Sequence, residues 1–327
     1  MIALLLFALP LHVILPEAKN LQNLSYWVAV GAGHFHDEGI DVIVDVAETP
    51  GEVGKLLARD DAQVAVLPPP IYIDLISERK PWRLVANLLK NDPINVIVRR
   101  ATVEARHLRL EAPVAERLRA LHGVRIGVPP GPASRFSALV RAVGLDPAKD
   151  FDVVVMTGHE QNDALASGRV DALFAHTPFL ERALLDQDMV MVVNQSAGEV
   201  PEVAFTQIHV LAVKADFAAN KPELVRALYR AIARAEKLIH TDPAAATAAI
   251  CKALPELPRR NVEALVRLYQ PAVPATPEVS VAGIEAALKL YPATKVPPDL
   301  HGIDLHAFVL TGLGNSPASP SRAKMAR

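Results

Sequence analysis

Short runs of β-branched and aliphatic residues return along this chain at helix-length intervals, and that alternation restricts the possible folds more than any single motif. Leu11–Leu15 (LHVIL), Ile40–Val46 (IDVIVDV), Ala62–Leu67 (AQVAVL), Trp82–Leu89 and Asn95–Val98 each have the length and composition of a buried strand. Between them the pattern predicts a helix from about Gln22 to Ala32 that stops at Gly33. It predicts another from Pro50-Gly51 to about Arg59, and a third from the loop Pro68–Pro70 through Ser77. Strands alternating with helices form an α/β sheet covered on both faces.

A smaller copy follows the polar segment Arg99–Pro113, with strands over 124–128, 152–156, 171–175 and 189–193 and helices over 134–143, 160–167 and 178–185. From Gln207–Val213 (QIHVLAV) the chain turns mostly helical. One helix begins at Asn220 and Pro222 and aligns Leu224, Leu228, Ile232 and Leu238. Asp242-Pro243 opens a second, with an N-cap and a proline at its first position, and Thr276-Pro277 a third. The Gly/Ser/Pro/Ala-rich basic tail from Gly312 to Arg327 is predicted to be disordered. The two blocks predict two lobes, 11–95 with 207–311 and 96–206. The chain would cross between them near Asp92–Val96 and near Ala204–His209.

Composition removes several function classes. A net charge of −2, with no basic run interleaved with aromatics, excludes a nucleic-acid binder, and 5% aromatic residues make a poor stacking platform. A chain that is 51% apolar and 21% charged buries a sizeable interior. The only cysteine, Cys251, permits no intrachain disulfide and no multi-cysteine metal site; its neighbours make it a helix-packing thiol. There is no GxSxG, P-loop, HExxH, or GxGxxG after a strand. The apolar run Met1–Pro10 has the length of a secretory core without a basic leader. It is expected to be a truncated or mis-started export signal; the other possibility is a buried first strand.

Residues His34-Phe35-His36-Asp37-Glu38 pose the question of a metal centre. Side chains two apart on a helix diverge by about 200°, so His34 and His36 would not clasp one ion there. With Gly31, Gly33 and Gly39 around them, they are expected to form a polar turn leading into the strand at Ile40. The same stretch resembles the helix-to-strand passage of substrate-binding proteins of ABC importers, the NMT1/THI5-like group that includes nitrate, sulfonate, taurine and thiamine-precursor receptors. Gly33, Phe35, Gly39, Ile40, Asp41 and Val42 fit its pattern, which leaves His34 and His36 at variable, solvent-facing places. AQVAVLPPPIYIDLISERK, GVRIGVPPGPASRFSALVRAVGLDPAKDFDVV, ALASGRVDALFAHTPFLERAL and KPELVRALYRAIARA continue the resemblance in order, from about Leu11 to Tyr291. The sequence departs from it at Gly131-Pro132-Ala133-Ser134, where the family usually has Gly-Ser. The resemblance implies the type II periplasmic-binding-protein fold, an α/β architecture of two lobes that close on a ligand at a two-crossing hinge. It implies a monomeric periplasmic receptor for a small solute, a membrane permease as partner, no cofactor and no catalysis.

In open α/β sheets ligands sit beyond the carboxyl ends of strands, near helix N-termini, which selects the strand-to-helix loops. Asn20 and Gln22, after Lys19, would hydrogen-bond a polar ligand and Tyr26 would wall it, unless Asn20 is simply an N-cap. Pro68 and Pro69 offer shape and carbonyls, with Tyr72 one turn on, or merely stiffen the loop. Ser134 and Arg135 at a helix start suit an anion or carboxylate; alternatively they are a plain cap and a surface arginine. His159 opens a helix or only caps it. His176 and Thr177 stand where the resemblance implies polar or aromatic contacts, although a structural histidine is the alternative. Asn91 and Asp92 would reach the cleft from the hinge, or form a turn before Pro93. The rival function is an enzyme on the same fold, a pyrimidine-forming synthase or a small-acid lyase. One cysteine speaks against the synthase, and only His159 or His176 would serve the lyase as acid or base. A regulator's effector lobe would need a helix-turn-helix for which there is no room.

Overall fold

The structure, a computed structural model, describes residues 9–17, 20–47, 50–291 and 296–315. The apolar start up to Ala8, Lys19 and the tail beyond Asn315 lie outside the described residues. Ten strands are present among the described residues: β1 (Leu9–Pro16), β2 (Ile40–Ala47), β3 (Val64–Leu67), β4 (Trp82–Leu89), β5 (Asn95–Arg99), β6 (Val124–Val128), β7 (Phe151–Val155), β8 (Ala172–Ala175), β9 (Met189–Val193) and β10 (His209–Lys214). They form two five-stranded sheets, β2-β1-β3-β10-β4 and β7-β6-β8-β5-β9.

The second sheet repeats the first. In each, the second strand from one edge pairs in parallel with both neighbours, and one strand is inserted antiparallel: β10 against β3 and β4, β5 against β8 and β9. Each inserted strand is the one the chain forms on arriving from the other sheet, through residues 90–94 and 194–208. The starts of β5 and β10 therefore lie where the chain crosses.

Period-two alternation decides the cores. Leu11, Val13 and Leu15 of β1 join Val64, Val66, Leu211 and Val213 on one face of the first sheet, under the helices Leu24–Gly31, Pro222–Thr241 and Pro243–Ala253. Ile14, Ala65, Leu67, Val210 and Ala212 face the other way, onto the helices Pro69–Ser77 and Val281–Ala287. The second sheet divides likewise, with Val96, Val98 and Phe174 on one face and Ile97, Leu173 and Ala175 on the other.

Several boundaries differ from expectation. β1 begins at Leu9, so Leu9 and Pro10 belong to the sheet and pair with Ile40 and Asp41. The helix near Thr276-Pro277 starts instead after Ser280, whose hydroxyl accepts from Gly283 N–H at 3.0 Å. The polar segment Arg99–Pro113 contains the helix Arg100–Ala105, and Arg259–Tyr269 is a helix that sequence reasoning passed over. The tail begins with an ordered turn at Leu313–Asn315. Cys251 packs part-buried against the first core.

The His34–Glu38 stretch is a single helical turn, His34–Asp37, rather than an open turn. Its acids grip the long C-terminal helix: Glu38 receives two bonds from Arg230 (2.6 and 3.0 Å) and Asp37 one from Arg234 (2.7 Å). His36 pairs with Asp41 at 2.9 Å. Both ring nitrogens of His34 are buried without a partner, and burial lowers its pKa. Among the described residues no three His, Cys, Asp or Glu are gathered to hold a metal ion. No helix among them is long and apolar enough to cross a membrane.

Candidate functional site

A cleft of about 700 Å³ opens where the two crossings meet the strand ends of both sheets. The first sheet contributes the loop after β1 (Pro16, Glu17, Asn20, Gln22, Asn23), the loop after β3 (Pro68, Pro69, Pro70) and the start of β10 (Ile208, His209). The crossing adds Pro93 and Ile94, and the second sheet adds Arg135 and His176.

The polar groups are held in place before any ligand arrives. Asn20 does cap: its Oδ1 accepts from Gln22 N–H at 2.9 Å while its Nδ2 donates to Glu17 Oε2 at 2.9 Å. Gln22 is nearly buried and lines the cleft. Arg135, in the first turn of the helix Ala133–Ala142, donates to Asp92 Oδ1 at 3.1 Å, and the same oxygen accepts from Ile94 N–H at 3.0 Å. Burial raises the Asp92 pKa and Arg135 opposes that shift.

Two histidines face this pair. His176 Nδ1–H donates to the Thr177 carbonyl at 2.5 Å, and His209 Nδ1–H donates to Asn23 Oδ1 at 2.9 Å. Burial, reinforced by Arg135 and His176, pushes His209 down to about 3, so it is neutral at physiological pH. Burial is also the largest influence on His176 and lowers its pKa.

Of the residues expected from sequence, Asn20, Gln22, Pro68, Pro69, Arg135 and His176 meet in this cleft. The others lie elsewhere. Tyr26 and Tyr72 are fully buried, in the cores on opposite faces of the first sheet, because the first turns of their helices direct them inward. Asn91, with φ of 63°, donates from its side chain to the Ser196 carbonyl at 3.1 Å, and so ties one crossing to the other instead of reaching a ligand. Ser134 neither caps its helix, whose N-cap is Pro132, nor lines the cleft. His159 is exposed with its ring edge-on to Phe179; Thr157 and Glu160 form the capping box there. Thr177 is buried behind the cleft. Its hydroxyl donates to Glu181 at 3.3 Å and its N–H donates to Tyr269 Oη at 3.3 Å.

Sequence reasoning missed Glu17, Asn23 and His209. The strand-end rule searches carboxyl ends, but β10 runs antiparallel to β3, so it presents its beginning to the cleft. The signal was a lone histidine at the start of an apolar strand, QIHVLAV.

The aliphatic sulphonate binding protein SsuA from Escherichia coli, a periplasmic protein, is similar over 86% of this chain and 85% of that one, with a TM-score of 0.60 and 13% identity. The periplasmic nitrate-binding protein NrtA from Synechocystis PCC 6803 is similar over 77% and 68%, with a TM-score of 0.53 and 14% identity. The desulfurization enzyme DSZB is similar over 94% and 97%, with a TM-score of 0.60 and 18% identity. No curated protein matches the sequence. At these identities the likeness is one of fold, the type II periplasmic-binding-protein architecture. The family model described as NMT1/THI5 like matches residues 20–246, well over half of the chain. By that match the chain belongs to the NMT1/THI5-like family.

Proposed function

We propose that this chain is the solute-capturing component of an ABC-type importer. It acts as a monomer in the periplasm, binds one small polar or anionic organic solute of the sulfonate, nitrate, pyrimidine or vitamin-precursor type, and passes it to a membrane permease. The lobes are 11–95 with 207–311 and 96–206, and they close about the two crossings. The observation that carries this reading is the cleft itself. Polar groups from both sheets and from the crossing converge in it, already oriented by bonds among themselves. Asn20, Gln22, Pro68, Pro69, Arg135 and His176 are its ligand contacts. Family membership and the likeness to periplasmic receptors support the same assignment. Thermal-shift screening with small polar solutes, paired with product analysis, tests it. Stabilisation without turnover is expected, and no stabilisation by any such solute overturns it.

The likeness to DSZB gives the enzyme reading one observation in its favour. On that reading His176 is the acid–base group, and incubation with the stabilising solute would consume it.

A further inference from the structure

Thr177 has every polar group engaged, each by a different part of the molecule. Its N–H donates to Tyr269 Oη at 3.3 Å, and its hydroxyl donates to Glu181 Oε1 at 3.3 Å. Its carbonyl accepts from Nδ1 of His176, which lines the cleft. Glu181 is therefore two hydrogen bonds from a cleft residue. It is itself buried, on a helix whose Leu180 and Ala183 pack into an apolar core, and its Oε2 has no partner. An ionised carboxylate here keeps one long bond and leaves an oxygen bare in a dry place, which is costly; a protonated carboxyl brings no such charge. The surrounding charges are already committed or turned outward. Arg182 and Asp186 on the same helix are exposed, and Asp186 is bound by Arg260 at 2.8 Å. At the crossing Asp92 is held by Arg135. The helix Gly158–Ala166 turns Asn162 to the Phe179 carbonyl and His159 to the Phe179 ring, while β5 and β9 offer Ile97 and Met191. What sets Glu181 is burial, which lifts its pKa to about 7, opposed by its own N–H and the Thr177 hydroxyl.

We propose that Glu181 is a positioning residue for the cleft: protonated, it holds Thr177 and with it the His176 imidazole in the arrangement seen here, and ionised, it releases them. The ionised form is relieved only when the first turn of its helix shifts to let water reach Oε2, and Thr177, bonded to that turn, shifts with it. A carboxyl reached by water returns toward its ordinary value of 4.5, so between that value and 7 the buried arrangement binds the extra proton. Rising pH across this interval therefore favours release, by at most about tenfold per pH unit, and the bias is complete above 7. As regulation of capture the claim rests on the receptor reading: solute is gripped more firmly in mildly acidic surroundings than in alkaline ones.

Ring signals of His176 test this on the full chain without solute, in protein carrying ¹⁵N-histidine, by NMR from pH 5.5 to 8.5. The imidazole's own protonation, displaced below 6.5 by burial, is common to parent and variants. The parent is expected to show a further change at or below about pH 7 that Glu181→Gln lacks. Thr177→Val, which keeps the shape and loses the hydroxyl, should match Glu181→Gln, and Thr177→Ser should restore the parent profile. Superimposable profiles for parent and Glu181→Gln overturn the proposal. So does a parent-like profile in Thr177→Val, where the charge would be felt across space, or a Thr177→Ser profile like that of Thr177→Val. These outcomes leave the receptor reading intact, whereas an absence of any stabilising solute in thermal-shift screening strikes that reading and not the ring signals.

Discussion

Arg135 carries its charge into the cleft while Asp92, itself nearly inaccessible, holds one of its nitrogens. Arg135→Ala therefore has two expected effects, loss of solute-induced stabilisation and a cost to the empty protein of about 3 kcal/mol, because a buried carboxylate loses its partner. Chemical denaturation measures the second, and adding Asp92→Asn should recover part of it. His209 leads to a pH dependence. Its pKa falls from 6.5 to about 3 on folding, so between those values the unfolded chain binds the extra proton. Stability is retained above pH 6.5 and lost as pH falls toward 3, at up to about 1.4 kcal/mol per pH unit. Denaturation midpoints from pH 7 to 4 should show this slope, and His209→Gln should reduce it. Asn20, Gln22 and Arg135 were legible in the sequence because they follow parallel strands, where the strand-end rule applies. Tyr26 and Tyr72 were misplaced because a residue one turn into a helix can face the core as readily as the cleft, and a single sequence does not say which.

At the scale of elements, helix contacts set the tolerances. A β-carbon on Gly31 would lie 1.8 Å from the Ala249 carbonyl oxygen, so the helices Leu24–Gly31 and Pro243–Ala253 touch backbone to backbone. Gly31→Ala is expected to cost about 1–3 kcal/mol, read as a lower melting temperature. The helix Phe179–Asp186 buries Glu181, whose Oε2 has no partner, and burial raises its pKa from 4.5 to about 7. A carboxyl raised on folding costs stability as pH climbs from 4.5 through 7. Glu181→Gln should be more stable than the parent by about 1–3 kcal/mol at pH 8 and equal to it near pH 4, in paired melts. Nine of the ten described strands were legible because their apolar residues form short runs or alternate, whereas β10 lies in a stretch that was read only as the point where the chain turns helical. The helix Arg259–Tyr269 was not, although Val262, Leu265, Val266 and Tyr269 recur at helical spacing. Prolines at 255, 258 and 271 frame it so closely that the segment reads as loop.

At the scale of the molecule, that same helix links the two sheets. Tyr269 Oη donates to the Pro93 carbonyl in the first crossing at 3.0 Å and accepts from Thr177 N–H behind the cleft. Tyr269→Phe leaves the Thr177 N–H unpaired and takes from the Pro93 carbonyl one of its two donors, the other being the Asn95 side-chain amide, and should lower stability by about 1–3 kcal/mol in urea denaturation. The two-lobed plan was legible in the repeated alternation of strand and helix. The identity of the inserted strands was not, since an antiparallel partner carries the same apolar pattern as a parallel one. Their insertion has a consequence for biosynthesis. The five strands of the second sheet are consecutive in the chain, whereas β10 sits between β3 and β4 of the first. In a chain that emerges from its N-terminal side, β1 to β4 come first and wait with a gap between two of them, while the later sheet is able to close ahead of them. The half that begins the polypeptide is the half that is finished last.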